Sequence, residues 1–322
     1  MTRVQRVDVS DDAAFAELYG LYARAHARTF DGPYLAIEKR VNLTDDAYGT
    51  KAAVVARDVH GLAVAGGTAV MALQDNTAIA FVEVFVPPEH RRRGHGSAVL
   101  DALLDIGRQH GRTIALGEAV WAVDQQTDAG RAFAEARGFT LDIVDAVREL
   151  TLPADVPPLV LDPAYTLETW RGPCPQEWLD EYADLRRMLN AEAPSGDIGL
   201  ENEHWDAARV RKDEADLARV GRIMQVSVAR APDGSLAGHT QLAFPGEGDE
   251  VYQWDTLVRP AHRGHGLGLA LKIHAMQAAA DLLEGRRRIT TWNAASNTHM
   301  IAVNERLGFW QSAWAGEYVR TI

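Results

Sequence analysis

The chain has 322 residues, of which 47% are hydrophobic, and 33 basic residues against 45 acidic ones give it a net charge of -12. That is about twice a common domain length, and the negative balance argues against tracking nucleic-acid phosphates or docking on an anionic membrane, while suiting a cationic substrate. The lone cysteine, Cys174, excludes an intrachain disulfide and a cysteine zinc site; with no secretion signal at the amino terminus and no membrane-length apolar run, a soluble cytoplasmic protein is expected.

In chain order, Val4–Val9 alternates like a strand, and Ser10 followed by Asp11 and Asp12 reads as the N-cap of a helix running to about His26. Two strands joined by a turn follow, Ala52–Arg57 and Leu62–Leu73, then a third, Ile79–Val86, which runs into "HRRRGHG". A helix over Ser97–Gln109, a short strand over Thr113–Ala119 and a last helix ending in Gly138-Phe139 complete the series. The same series then repeats. Tyr165–Trp170, a helix from Pro175 to about Ala191, strands Met224–Arg230, Leu236–Ala243 and Val251–Val258, the phrase "HRGHGLG", a helix over Leu267–Leu283, a strand Arg288–Trp292 and a last helix ending in Gly308-Phe309 match it element by element. Shifting by 172 positions lays Gly66 on Gly238, Thr68 on Thr240, Val86 on Val258 and Arg91 on Arg263. Two diverged copies of one domain follow: 1–152 and 164–322, joined by a proline-rich extended linker at 153–163. Strands and helices in this order argue an α/β (α+β mixed) sheet domain, made twice.

The repeated glycine phrase sits between a strand and a helix. A helix N-terminus presents unpaired N–H groups and about half a positive charge, and glycines let an anion approach them. The phrase is neither a Walker A loop nor the dinucleotide fingerprint. Arg91-x-x-Gly94-x-Gly96 and Arg263-x-x-Gly266-x-Gly268 resemble the signature of the GNAT superfamily of acyl-CoA-dependent N-acyltransferases, and Val86-x-Pro88 and Val258-x-Pro260 resemble its lead-in. "NTHMIAVNERLGF" resembles its closing helix, and the tandem arrangement resembles that of the mycothiol synthases. The resemblance implies a mixed sheet whose central strands splay apart, with acetyl-CoA in the gap. Its diphosphate would lie on Arg91, Arg92, Arg93, Gly94, His95, Gly96 and Ser97 in the first copy, beside Phe85 and Val86. In the second it would lie on Arg263, Gly264, His265, Gly266, Leu267 and Gly268. Asn297 would bond the pantetheine arm, an assignment that competes with a helix-cap role.

Acetyl transfer to an amine needs a base, because only about a thousandth of a lysine-like amine is free at neutral pH. It also needs a polarised carbonyl and a way for the thiolate to leave. By resemblance the base is Asp255, with Glu83 its counterpart in the first copy and Glu250 a fallback. Backbone N–H groups near Leu257 and Val258 would polarise the carbonyl. The family's acidic tyrosine is replaced by Asn304 in one copy and Ala134 in the other; Asn304 could donate a hydrogen bond to the sulfur but gives up no proton, so either another group protonates the thiolate or it leaves unprotonated. For the acceptor amine, Asp197, Glu201 and Trp205 offer carboxylates with an aromatic, and Trp292 and Asn293 end the strand beside the gap. No metal is expected: His262 and His265 have metal-like spacing but no supporting ligands. "GRRR", Gly285 to Arg288, offers either contacts to a phosphate of the coenzyme or a charged helix end. With Asn297 and Asp255 in place, and only Thr127 at the position of Asn297 in the first copy, the second copy is the expected catalyst.

The leading expectation is thus acetyl transfer from acetyl-CoA to a primary amine of a small molecule, by a monomer or homodimer. The alternatives are an acyl-CoA-binding pseudoenzyme serving as sensor or scaffold, and aminoacyl transfer of the Fem type, which two intact diphosphate loops and the acidic charge disfavour.

Overall fold

Each repeat opens with a strand and two helices, continues with an antiparallel run of three strands, and covers both faces of the sheet with helices. The first repeat builds β1 (Arg3–Arg6), α1 (Asp12–His26), α2 (Ala36–Asn42), β2 (Gly49–Arg57), β3 (Ala63–Ala72), β4 (Ile79–Phe85), α3 (His95–Gln109), β5 (Ile114–Ala122), α4 (Ala129–Ala136) and β6 (Thr140–Thr151). The second builds β7 (Thr166–Arg171), α5 (Leu179–Glu192), α6 (Ala207–Arg219), β8 (Ile223–Arg230), β9 (Leu236–Phe244), β10 (Glu250–Val258), α7 (Leu267–Ala278), α8 (Ala280–Leu283), β11 (Arg288–Ala294), α9 (Thr298–Arg306) and β12 (Trp310–Thr321). This is a computed structural model, and it describes residues 2–27, 32–125, 128–192 and 196–322. Thr127 and the stretch 193–195 lie outside the described residues.

The chain folds as two units. Unit 1 is Met1–Val144, Gly196–Glu201 and Trp314–Ile322; unit 2 is Asp145–Ser195 and Asn202–Ala313. Within unit 1 the strands lie in the order β1-β2-β3-β4-β5, followed by the end of β12; within unit 2 the order is β6 from Asp145, then β11-β10-β9-β8-β7. Each unit therefore completes its sheet with a strand that ends the other repeat. The extended segment after β6 lays Ala154, Val156 and Leu159 on the core of unit 2.

In unit 1 the sheet is sandwiched. Val54, Met71 and Val82 meet Val99, Leu103 and Leu104 of α3 on one face. Val55, Ala53 and Phe85 meet Leu18, Leu21 and Tyr22 of α1 on the other. Close approach is enforced at Gly66, where a Cβ would fall 2.4 Å from Cε2 of Phe85. In unit 2, α5 packs on Met224, Val226, Val228 and Leu257, and α7 on Leu242, Phe244 and Val251 of the opposite face. Burying each such side chain contributes roughly 1.5–3 kcal/mol.

The fold shifts some expected boundaries. The cap of α1 is Asp11, whose carboxylate accepts from the N–H groups of Ala13 and Ala14, both at 2.9 Å, while Ser10 bonds Asp8 instead. The helix expected from Leu267 to Leu283 breaks at Ala279 into α7 and α8. Four elements were not anticipated: α2, α6, β6 and β12.

Candidate active site

Both glycine phrases fold as left-handed turns that open a helix. Gly94 (φ 81°) caps α3 and Gly266 (φ 71°) caps α7. Two residues earlier the chain is again left-handed, with Gly264 at φ 88° in unit 2 but Arg92 at φ 62° in unit 1, where a side chain is strained. A Cβ built at Gly264, Gly266 or Gly268 would meet no atom within 4 Å, so the seat in front of α7 is open to an anion. In unit 1 the last glycine of the phrase is backed by neighbours: a Cβ at Gly96 would lie 3.3 Å from Val86 and 3.5 Å from Phe133. Arg91 and Arg263 hold the loops by donating from Nε to the carbonyls of Val86 (2.9 Å) and Val258 (3.3 Å). Arg263 also bonds Glu192 at 2.5 Å. Arg91, Arg92 and Arg93 are exposed, as are His265 and Gly266, whereas Leu267 is buried and Ser97 half-buried. His95 bonds Thr2 at 2.9 Å, and burial pushes its ring below the usual range. His265 and His262 are held separately, by Asp162 at 2.7 Å and Tyr165 at 3.1 Å.

Behind each loop the sheet opens. β10 and β11 pair in parallel only from Glu250↔Arg288 to Tyr252↔Thr290, and β4 and β5 only from Ile79↔Ile114 to Phe81↔Leu116. Beyond those pairs β10 and β11, like β4 and β5, no longer pair with each other. The units then differ. The β9–β10 register slips by one between Gln253 and Thr256, whereas β3–β4 runs in unbroken register from Gly66↔Phe85 to Val70↔Phe81. Consecutive side chains of a regular strand point to opposite faces. The bulge instead puts both Trp254 and Asp255 toward α5, where Trp254 packs and Asp255 meets Arg186.

Asp255 Oδ2 lies 3.1 Å from Arg186 Nε and 4.0 Å from His239 Nε2. Burial pushes the Asp255 carboxyl above the usual range, against the pull of Arg186. Burial alone would lower Arg186, and Asp255, Tyr182 and Asp213 keep it charged. His239 is fully buried, neither ring nitrogen has a hydrogen-bond partner, and burial drives it down to about 3. Trp205 carries Arg186 at 3.9 Å and Arg209 at 4.6 Å from its ring centre, and its Nε1 donates to Glu203 at 2.8 Å. Asp197 and Glu201, expected beside Trp205, fall within unit 1, where their backbone N–H groups bond Asp142 and Asn76. Glu250 and the arginines of "GRRR" lie at the far end of β10, where Glu250 pairs with Arg287 and Arg288. Eight residues separate Glu250 from Val258, some 26 Å along a strand at about 3.3 Å each, so these arginines do not reach the loop.

On the opposite face of unit 2 is a polar series that sequence reasoning found only in part. Lys272, on α7, donates from Nζ to Asn304 Oδ1 at 2.9 Å. Asn304, on α9, donates to Asn293 Oδ1 at 2.6 Å. Lys272 and Asn304 are 1% and 0% exposed, and burial pushes the lysine down to about 7. The missed signal was one lysine inside the apolar run "LGLALKIHAM". Trp292 stacks loosely on Tyr252 at 6.0 Å, and Asn297 caps α9 by accepting from Met300 N–H at 3.1 Å.

In unit 1, Glu83 is held by Lys39, by Thr68 at 3.0 Å and by His26 at 3.7 Å. Phe85 is 1% exposed and packs edge-on to Tyr22, which makes it core. The positions matching Lys272 and Asn304 are Leu100 and Ala134, both within the apolar cluster.

Among the described residues no helix is long and apolar enough to cross a membrane. Two segments, residues 16–139 and 182–309, match the Acetyltransferase (GNAT) family. Mycothiol acetyltransferase of Salinispora tropica is 30% identical over 95% of this chain and 93% of its own. That of Rhodococcus erythropolis is 30% identical over 70% of this chain and 71% of its own. Among solved structures, a tandem GNAT protein from the clavulanic acid biosynthesis pathway superposes with a TM-score of 0.84 at 24% identity, covering 100% of this chain and 98% of that one. The chain belongs to the GNAT family of acetyltransferases and carries two such domains in tandem.

Proposed function

We propose that unit 2 transfers the acetyl group of acetyl-CoA to a primary amine of a small molecule. The bulged, half-unpaired β10 carries this reading: one strand links a polar face around Asp255, a gap beside β11 and an open anion seat at the front of α7. The residues fit the coenzyme. N–H groups at the front of α7 and the Arg263 side chain would take the diphosphate, and the gap between β10 and β11 would take the pantetheine arm. Acetyl-CoA, when bound, supplies a thioester with an electrophilic carbonyl carbon and a sulfur leaving atom.

Asp255 is the proton acceptor in this reading. Its raised carboxyl is a stronger base than an exposed one, and Arg186 fixes its orientation. The bulged backbone at the end of β10 polarises the carbonyl. Unit 1 fits coenzyme binding without turnover: its strand has no bulge, Glu83 is held by three partners, and Phe133 backs Gly96.

The relatives' name makes a mycothiol-type acceptor the first to test. Incubation with acetyl-CoA and a panel of amines, followed chromatographically, should show amine-dependent loss of acetyl-CoA that Asp255→Asn suppresses. Tight CoA binding with no turnover of any amine would favour the sensor reading instead.

A further inference from the structure

If unit 2 is the working half, its thiolate leaves without an acid, because the amide of Asn304 gives up no proton at neutral pH. The series Lys272–Asn304–Asn293 supplies something else. Lys272 Nζ donates to the oxygen of Asn304, so Asn304 turns its nitrogen onward. Asn293 must then present its oxygen to Asn304, which leaves its own NH2 as the end of the series. One buried amine thus sets the orientation of two amides. Asn293 stands on β11 three residues past Thr290, where pairing with β10 stops, and it is half-buried, so the series runs from the interior toward the gap. Its amide nitrogen carries no other bond among the described residues.

We propose that Lys272 is a positioning residue that aims the Asn293 amide at the sulfur leaving the thioester, so that the thiolate departs unprotonated against a polarised donor. This rests on the acetyl-CoA reading of unit 2. In the step, the acceptor nitrogen forms the C–N bond, the C–S pair stays on sulfur, the amine proton goes to Asp255, and the thiolate takes a proton from water after release.

The surroundings agree. No ion pair to Lys272 occurs among the described residues; its neighbours are Asn304 and, at 5.8 Å, the ring of Phe309. The other titratable side chains of α7 and α9 are His274, which burial lowers, His299, Arg306 in the last turn of α9, and Glu305, which pairs with Arg148 at 3.3 Å. From the strands beneath, Glu250 is taken by Arg288, Asp255 by Arg186, Glu168 by Arg230 and Arg171 by Asp281, while His239 stays neutral.

The test titrates the thiol of CoA bound to the full-length protein by its thiolate absorbance, and needs no acceptor. Bound to the wild type with unit 1 blocked by Gly94→Glu, the thiol should titrate below free CoA. In Lys272→Met and in Asn293→Ala it should titrate about one unit higher than that, with CoA affinity at acidic pH within about twofold. Asn293→Ala, at a half-buried position, keeps the test alive should the core variant fold poorly. A thiol pKa equal in the parent and both variants overturns the proposal and leaves the coenzyme reading intact. No CoA binding by the parent overturns both.

Discussion

Replacing Lys272 by methionine should stabilise the protein, by an amount that depends on pH. Burial lowers this amine from 10.5 to about 7, a gap of about 3.5 units, or about 5 kcal/mol at roughly 1.36 kcal/mol per unit. At 1% exposure no solvent screening reduces that figure. The sign follows from proton counting. Between pH 7 and 10.5 the unfolded chain holds a proton that the folded chain does not, so the wild type gains stability as pH rises through that window. Below about pH 7 the penalty is complete. Methionine removes it but leaves the Asn304 oxygen unpaired, at a cost of about 1–3 kcal/mol. The variant should therefore exceed the wild type by about 2–4 kcal/mol at pH 6, and the two curves should cross before pH 10.5. Denaturant midpoints measured every half unit of pH give the difference curve. A difference that does not change with pH would refute the reasoning, since it would mean that the lysine carries its normal proton in the fold.

Further outcomes follow from the same geometry. Arg186→Met strands a buried carboxylate and should cost about 3–5 kcal/mol, while Arg186→Met with Asp255→Leu should cost clearly less; equal losses in chemical denaturation would contradict the pairing. Asp255→Asn should lower kcat roughly a hundredfold or more with little change in the KM for acetyl-CoA, and a change confined to KM would remove Asp255 from the chemistry. The His239 ring should show no titration by NMR between pH 4 and 8, given its depression to about 3. Gly66→Ala drives a methyl into the Phe85 ring and should destabilise unit 1, read as loss of soluble protein or a lower thermal midpoint.

Much of the fold was visible because duplication prints it twice. Gly94 and Gly266, each behind an apolar strand, fixed the loop–helix junctions, and the structure gives both glycines left-handed φ. The gap followed only from resemblance, and nothing in "YQWDTLV" marks where the register slips. Strands β6 and β12 were missed, as was the way each completes the sheet of the unit formed mainly by the other repeat, because local pattern does not name a strand's partner. Helix α6 hides in a run of charges, although Asp206 caps it with a bond to Arg209 N–H at 2.8 Å. At the candidate site, Asp255 and Asn304 were singled out by the resemblance. Arg186 and Lys272, which govern what those two can do, come from helices far away in sequence, and no spacing rule links them. The charge of Asp197 and Glu201 suggested a cation site, and no local pattern told that their backbone N–H groups bond Asp142 and Asn76 of unit 1.

The central claim, that the front of α7 seats the coenzyme for turnover in unit 2, is tested most directly by calorimetric titration of acetyl-CoA into Gly94→Glu and into Gly94→Glu with Gly266→Glu. At Gly266 the backbone is left-handed and the space in front is open, so a glutamate brings both strain and a like charge to the seat. The account predicts binding near one equivalent in the single variant and none in the double. Undiminished uptake by the double variant, or none by the single one, would contradict it.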